Sequence, residues 1–214
     1  MGSNAWIELG LTWVSFILLV AYHIHLLYQV KHAPLTTAIG LNIQTRRAWV
    51  ETIMADRLDI LAVQTLRNSS MAASFLATTA ILICLGTLNA AFFSTTSGGL
   101  RVMSEISHEN SGLLHIKLLM LIITFFSAFL NFTLAIRSYN RTGFMINIPL
   151  ARDPLMTPEF VTRVLGRGMN HYSLGMRGYY LSVPLVLWMF GSYWLTAGTV
   201  VLLFVMYKID YSPD

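Results

Sequence analysis

Charged side chains are scarce in this chain. Asp, Glu, Lys and Arg together make up 11% of its 214 residues, against about 25% in soluble domains. That shortage excludes an ordinary water-soluble fold, which needs more charge to cover its surface. Cysteine is nearly absent too. The single Cys84 can form neither an internal disulfide nor a Cys-x-x-Cys metal pair, so it reads as a small buried apolar residue. Low-complexity tracts and internal repeats are missing, which points to one compact unit, residues 1–214, as a single helical membrane domain. There is also no Gly-x-Ser-x-Gly, no Gly-rich phosphate loop, no His-Glu-x-x-His and no acidic pair inside an apolar run. An enzyme is therefore the weakest functional class.

The chain has apolar length instead. Four runs stand out, Ala5 to Val30, Ser69 to Phe93, Leu113 to Ile136 and Tyr179 to Tyr207, in a sequence that is 55% hydrophobic. Each exceeds the roughly 20 residues that a helix needs to cross a ~30 Å hydrocarbon core. The pattern predicts an all-α membrane protein with four transmembrane helices. The first run lacks the basic start and the small-residue cleavage site of a signal peptide, so it reads as a permanent span.

Basic residues set the expected orientation, because Lys and Arg beside a span stay on the cytoplasmic side. Lys31, Arg46, Arg47, Arg57 and Arg67 flank or fill the connection between the first two spans. Arg137, Arg141, Arg152, Arg163, Arg167 and Arg177 do the same between the last two. The opposite side holds Arg101 and Lys208. Four spans then leave both termini outside the cytoplasm, and a compact chain without a targeting extension points to a bacterial inner membrane. The net charge of +4 describes a basic inner face that attracts anionic lipid, and no nucleic acid partner is expected.

From Ile43 to Leu85 there is no Gly or Pro. A helix could run from the cytoplasm straight into the second span; otherwise it bends near Asp56 to Asp59. In the other connection, Thr157-Pro158-Glu159 gives an N-cap, a first-turn proline and an acidic first turn, and Gly166 and Gly168 are expected to stop the helix. That segment reads as a short amphipathic surface helix beside a cytoplasmic helical connection. Span two is rich in Ala, Ser and Thr, which suits close helix contact in lipid, at the centre of a bundle or in an oligomer interface. Pro184 in span four predicts a kink.

Several long motifs carry a resemblance: Leu61 to Leu82 (LAVQTLRNSSMAASFLATTAIL), Arg46 to Met54 (RRAWVETIM), Ile146 to Pro149 (INIP) and Met176 to Gly191 (MRGYYLSVPLVLWMFG). Together, over roughly Tyr22 to Asp210, the chain resembles a plant and bacterial family of integral membrane proteins known as domain of unknown function 599. The resemblance implies a helical membrane protein without an assigned activity. It supplies no catalytic residue.

Polar groups at membrane depth are the main functional lead, since they are costly there and line cavities or meet partners. Gln64, Arg67 and Asn68 share a helix face at the inner end of span two, Arg137 ends span three at that depth and Arg177 starts span four. They form a candidate vestibule for an anion, a lipid headgroup or a quinone headgroup, set against plain snorkelling and capping. Lys117, one turn inside the outer end of span three, either snorkels outward or handles protons or solute as an outer gate. His23 and His171 are the one pair at compatible depth for haem b, against ordinary hydrogen-bonded histidine. Glu105, His108, Glu109 and His115 fall near one face if the outer loop is helical, a donor set for a first-row metal against a solvated acidic turn.

The function expected from these observations is that of a non-catalytic accessory or assembly subunit of a membrane complex, or a small membrane homo-oligomer. Its partners are the lipid bilayer and a membrane protein. A transport or channel-like protein for a small solute is the alternative, and a haem b or quinone-binding electron carrier the third. The sequence specifies no cofactor.

Overall fold

The computed structural model describes residues 2–33, 36–97, 111–149 and 152–211, with side chains from position 6 onward except at 92–97 and 111. Six helices account for nearly all of them: α1 Gly2–His32, α2 Ala38–Asp56, α3 Asp59–Ser97, α4 Ser111–Met145, α5 Pro158–Leu187 and α6 Ser192–Tyr211. A single 3-10 turn, Trp188–Phe190, joins α5 to α6. No strand occurs among the described residues. Stretches of α1, α3, α4 and α6 are long and apolar enough to cross a bilayer, as expected for an integral membrane protein: Trp6–His32, Asp59–Ala91, Gly112–Met145 and Ser192–Tyr211.

The long helices stand in a row. α3 packs on α4, α4 on α5, α5 on α6 and α6 on α1, while α2 lies mainly across α5. Neighbours in the first two pairs run antiparallel. Ser70 meets Asn140 and Cys84 meets the Ile122 carbonyl across α3 and α4. Gly168 abuts Ser138, Gly175 abuts Phe132 and Lys117 meets Trp188 across α4 and α5. α1 and α6 instead run parallel, with Thr12 on Ser192, Ser15 on Thr196 and Tyr22 on Asp210.

Local chemistry explains the boundaries. α2 is separated from α3 by Arg57, a left-handed C-cap at φ 55° whose backbone N–H returns to the Ile53 carbonyl. The bend expected near Asp56 to Asp59 is thus the outcome, and no straight stalk forms. Thr157 caps α5 by accepting from Phe160 N at 3.3 Å, with Pro158 in the first turn as expected. The Glu159 carboxylate is held below its ordinary pKa, first by its own backbone amide and then by Thr157.

Two sequence expectations need correction. The helix from Pro158 does not stop at Gly166 or Gly168; it runs on to Leu187. Most of its glycines are sites of close approach: a Cβ at Gly168 would stand 2.8 Å from Ser138 Cβ, at Gly175 2.8 Å from the Phe132 ring, and at Gly178 3.2 Å from Ala128 Cβ. Packing against α4 offsets the roughly 1 kcal/mol that a helical glycine costs. The apolar run Tyr179 to Tyr207, expected as one span, is divided at Gly191. Its φ of 124° and ψ of 168° lie in a region essentially confined to glycine, so the chain turns back there. A Cβ at Gly198 would stand 2.6 Å from Leu187 Cδ1, so the returning helix also needs a glycine to lie against α5.

Candidate functional site

Three helices converge on one buried ion pair. Arg177 of α5 donates through Nη2 to both carboxylate oxygens of Asp210 on α6, at 2.9 and 3.1 Å. The Tyr22 hydroxyl of α1 donates to Asp210 Oδ2 at 2.7 Å. Only 16% of the Arg177 side chain and 9% of the Asp210 side chain are exposed. Charges taken out of water need a partner and further hydrogen bonds, and this triad supplies both. A cavity of about 250 Å³ adjoins it, lined in part by Asn42, Tyr172, Ser173 and Tyr180. Arg177 Nη1 is buried with no hydrogen-bond partner. Asp210 escapes sequence reading because an acid at the end of a final apolar run looks like a solvated flank.

A second polar region lies on the far side of α4, in the groove between α3 and α4. Gln64 and Arg67 line it, as the vestibule reading expects, together with Asp59 and Asn147. Asn68 and Arg137 are exposed and line neither this groove nor the cavity beside the ion pair. Arg177 belongs to the ion-pair site. The expected vestibule is therefore two places separated by α4.

Lys117 neither reaches outward nor faces solvent. It is fully buried, and its Nζ donates to the Trp188 carbonyl at 2.8 Å while sitting 5.1 Å from the Trp188 ring centroid. The same carbonyl accepts from Gly191 N at 3.0 Å. A cation at the carbonyl end of α5 complements the helix dipole and pins the turn that sends the chain into α6.

The two histidines considered for haem have different partners. His23 Nδ1 lies 2.8 Å from the Leu19 carbonyl, and its Nε2 is buried without a partner. His171 Nδ1 lies 3.0 Å from Asn131 Oδ1 on α4. α1 packs chiefly on α6, whereas this edge of α5 faces α4, so the two rings sit in separate helix contacts. Of the metal candidates, Glu105, His108 and Glu109 lie outside the described residues, and His115 is exposed on α4. No group of three or more potential metal ligands occurs among the described residues.

A family model described as Protein of unknown function, DUF599, matches residues 11–214. The chain belongs to that family, the one its motifs resemble. Comparison with curated proteins and with solved structures finds no match.

Proposed function

We propose that this DUF599 member is a non-catalytic assembly component of the membrane, acting through lateral contact of its edge helices with a second copy or a partner membrane protein. The open row of helices carries this reading. α3 stands at one end of the row, and its core face of Ala62, Leu66, Ala73, Ala77, Ala80 and Cys84 is buried, mainly against α4. A second flank of α3 bears Asn68, Ala72, Thr79 and Gly86, all exposed. At about 100° per residue these four positions fall within roughly 40° of one another. In lipid, apolar area gives little force between helices, so small side chains, hydroxyls and amides supply the contact. An uncovered Asn68 in such surroundings favours a partner that satisfies its amide.

Purification in a gentle detergent followed by light-scattering mass determination tests the proposal. The expected particle exceeds one chain, as a homo-oligomer or a stable heteromer, and Ala72→Trp with Gly86→Leu reduces it to a single chain. A wild-type particle of one chain without a partner overturns the reading.

The same architecture supports five passes through the bilayer. α5 runs antiparallel along α4 from Gly168 to Trp188, so it returns across the membrane, and α6 crosses again in parallel with α1. With the Arg-rich α2 end in the cytoplasm, α1 enters from outside and α6 ends inside. Four helices among the described residues are long and apolar enough to span by themselves, as the sequence predicts; the fifth pass adds α5, whose polar first half keeps it from being recognised by hydropathy, and it puts the termini on opposite sides. In a Cys84→Ala background, Trp6→Cys and Lys208→Cys are expected to react with membrane-impermeant thiol reagents from opposite sides. Labelling of both from one side defeats the five-pass arrangement.

A further inference from the structure

The groove between α3 and α4 carries an unusual set of unmet polar needs. Two cavities open along it, of about 480 and 620 Å³, and they share Val63, Arg67 and Asn147, so they form one trough. The smaller is lined by Asp59, Gln64, Arg67 and Asn147 as well as Ile60 and Val63. The larger continues past Ser70, Ser74 and Asn140 along Met71, Phe75 and Ile136, of which Met71 and Phe75 are 50% and 70% exposed. From Asp59 to Phe75 the helix rises roughly 24 Å at 1.5 Å per residue. One bilayer leaflet with its headgroup region is about 20 Å thick, so the trough has the length and polarity gradient of a single lipid.

The polar end narrows the choice of lipid. Arg67 offers a guanidinium that pairs with no carboxylate among the described residues. Guanidinium geometry suits a phosphate. Asp59 Oδ1 and Asn147 Oδ1 are buried acceptors without a donor. A net-anionic glycerol headgroup would satisfy Arg67 and offer hydroxyl donors, but it brings no positive charge to offset the Asp59 carboxylate. A quaternary amine has no N–H to give. A primary ammonium beside a phosphate has three donors and a positive charge, and it meets all of these needs together.

We propose that this trough binds a zwitterionic aminophospholipid, with phosphate on Arg67, ammonium on Asp59 and Asn147, and an acyl chain along Met71 and Phe75. Asp59 and Arg67 point about 100° or more away from Asn68 and Gly86 around α3, whereas Phe75 borders that flank, so changes at Asp59 and Arg67 test lipid retention apart from assembly.

The test is native mass spectrometry of delipidated protein offered an equal mixture of phosphatidylethanolamine, phosphatidylcholine and phosphatidylglycerol with identical dioleoyl chains. The wild type is expected to retain phosphatidylethanolamine about ten-fold over either competitor, a ratio equivalent to one decade in Kd. Asp59→Asn removes the preference for ethanolamine over choline, and Arg67→Gln lowers retention of all three lipids. Each preference is a ratio within one spectrum, so loss of folded protein does not imitate it, and the wild-type comparison needs no variant. Equal retention of phosphatidylcholine or phosphatidylglycerol, no retained lipid, or a preference unchanged in Asp59→Asn overturns the proposal. Displacement by water-soluble glycerophosphoethanolamine as readily as by the diacyl lipid also overturns it, because the occupant is then a free headgroup and not a membrane lipid.

Discussion

Asp210→Ala is expected to destabilise the protein by about 3–5 kcal/mol, the cost of leaving one member of a buried ion pair without its counter-charge. Arg177 would keep its charge inside the helix row, where only 16% of its side chain meets the surroundings. Tyr22 would lose its acceptor at the same time. That second loss bears on α1, whose other recorded polar ties to α6 are Thr12 on Ser192 and Ser15 on Thr196. Reversible unfolding in mixed micelles measures the effect. Arg177→Met combined with Asp210→Leu is expected to recover most of the lost stability, because replacing both charges with apolar side chains removes the desolvation penalty. Tyr22→Phe should cost less, about 1.5–3 kcal/mol, the net worth of a hydrogen bond to a charged group. A single Asp210→Ala variant as stable as wild type would mean that water or lipid headgroups already neutralise Arg177.

Much of this architecture is legible as apolar length, and the rest depends on contacts between residues far apart in sequence. The first three runs needed only hydropathy to be recognised, because each is bounded by polar segments. The fourth was ambiguous: Tyr179 to Tyr207 is long enough for one span, and the φ that turns the chain at Gly191 leaves no mark in composition. Gly168 and Gly175 carry the same difficulty. A glycine that ends a helix and a glycine that admits a neighbouring ring look alike until Phe132 and Ser138 are placed opposite them. Arg177 is conspicuous in an apolar segment, but its partner Asp210 lies 33 residues further on, at the end of another helix. Gln64 and Arg67 are recognisable as a pair from helical spacing, and Asp59 lies about two turns before Arg67 on the same helix, whereas Asn147 joins them only because α3 and α4 run antiparallel. Lys117 is visible as an intramembrane cation. Its use as a pin on the Trp188 carbonyl requires the turn that the sequence hides.

Gly175→Leu is expected to abolish the folded state, and Gly166→Ala to stabilise it by up to about 1 kcal/mol, although both residues lie within the same helix. A Cβ at Gly175 falls 2.8 Å from both Cε1 and Cζ of Phe132. Phe132 is fully buried and sits edge-on between Tyr172 and Tyr179, with ring centroids 5.6 and 5.8 Å away. It has no free direction in which to yield, so the added side chain must push α5 away from α4. That displacement would also draw Tyr179 from the Leu76 carbonyl it meets at 2.7 Å and open the contact between α5 and α3. At Gly166 a Cβ meets nothing within 4 Å, so alanine there changes only helix propensity. Thermal unfolding followed by circular dichroism separates the two positions, and Gly175→Ala with Phe132→Leu should restore folding by returning room to the contact. Similar, small effects at both glycines would mean that α5 is not pressed into the row. The proposed fifth pass and opposed termini would then lose their physical basis, because both rest on α5 lying along α4 as far as Trp188.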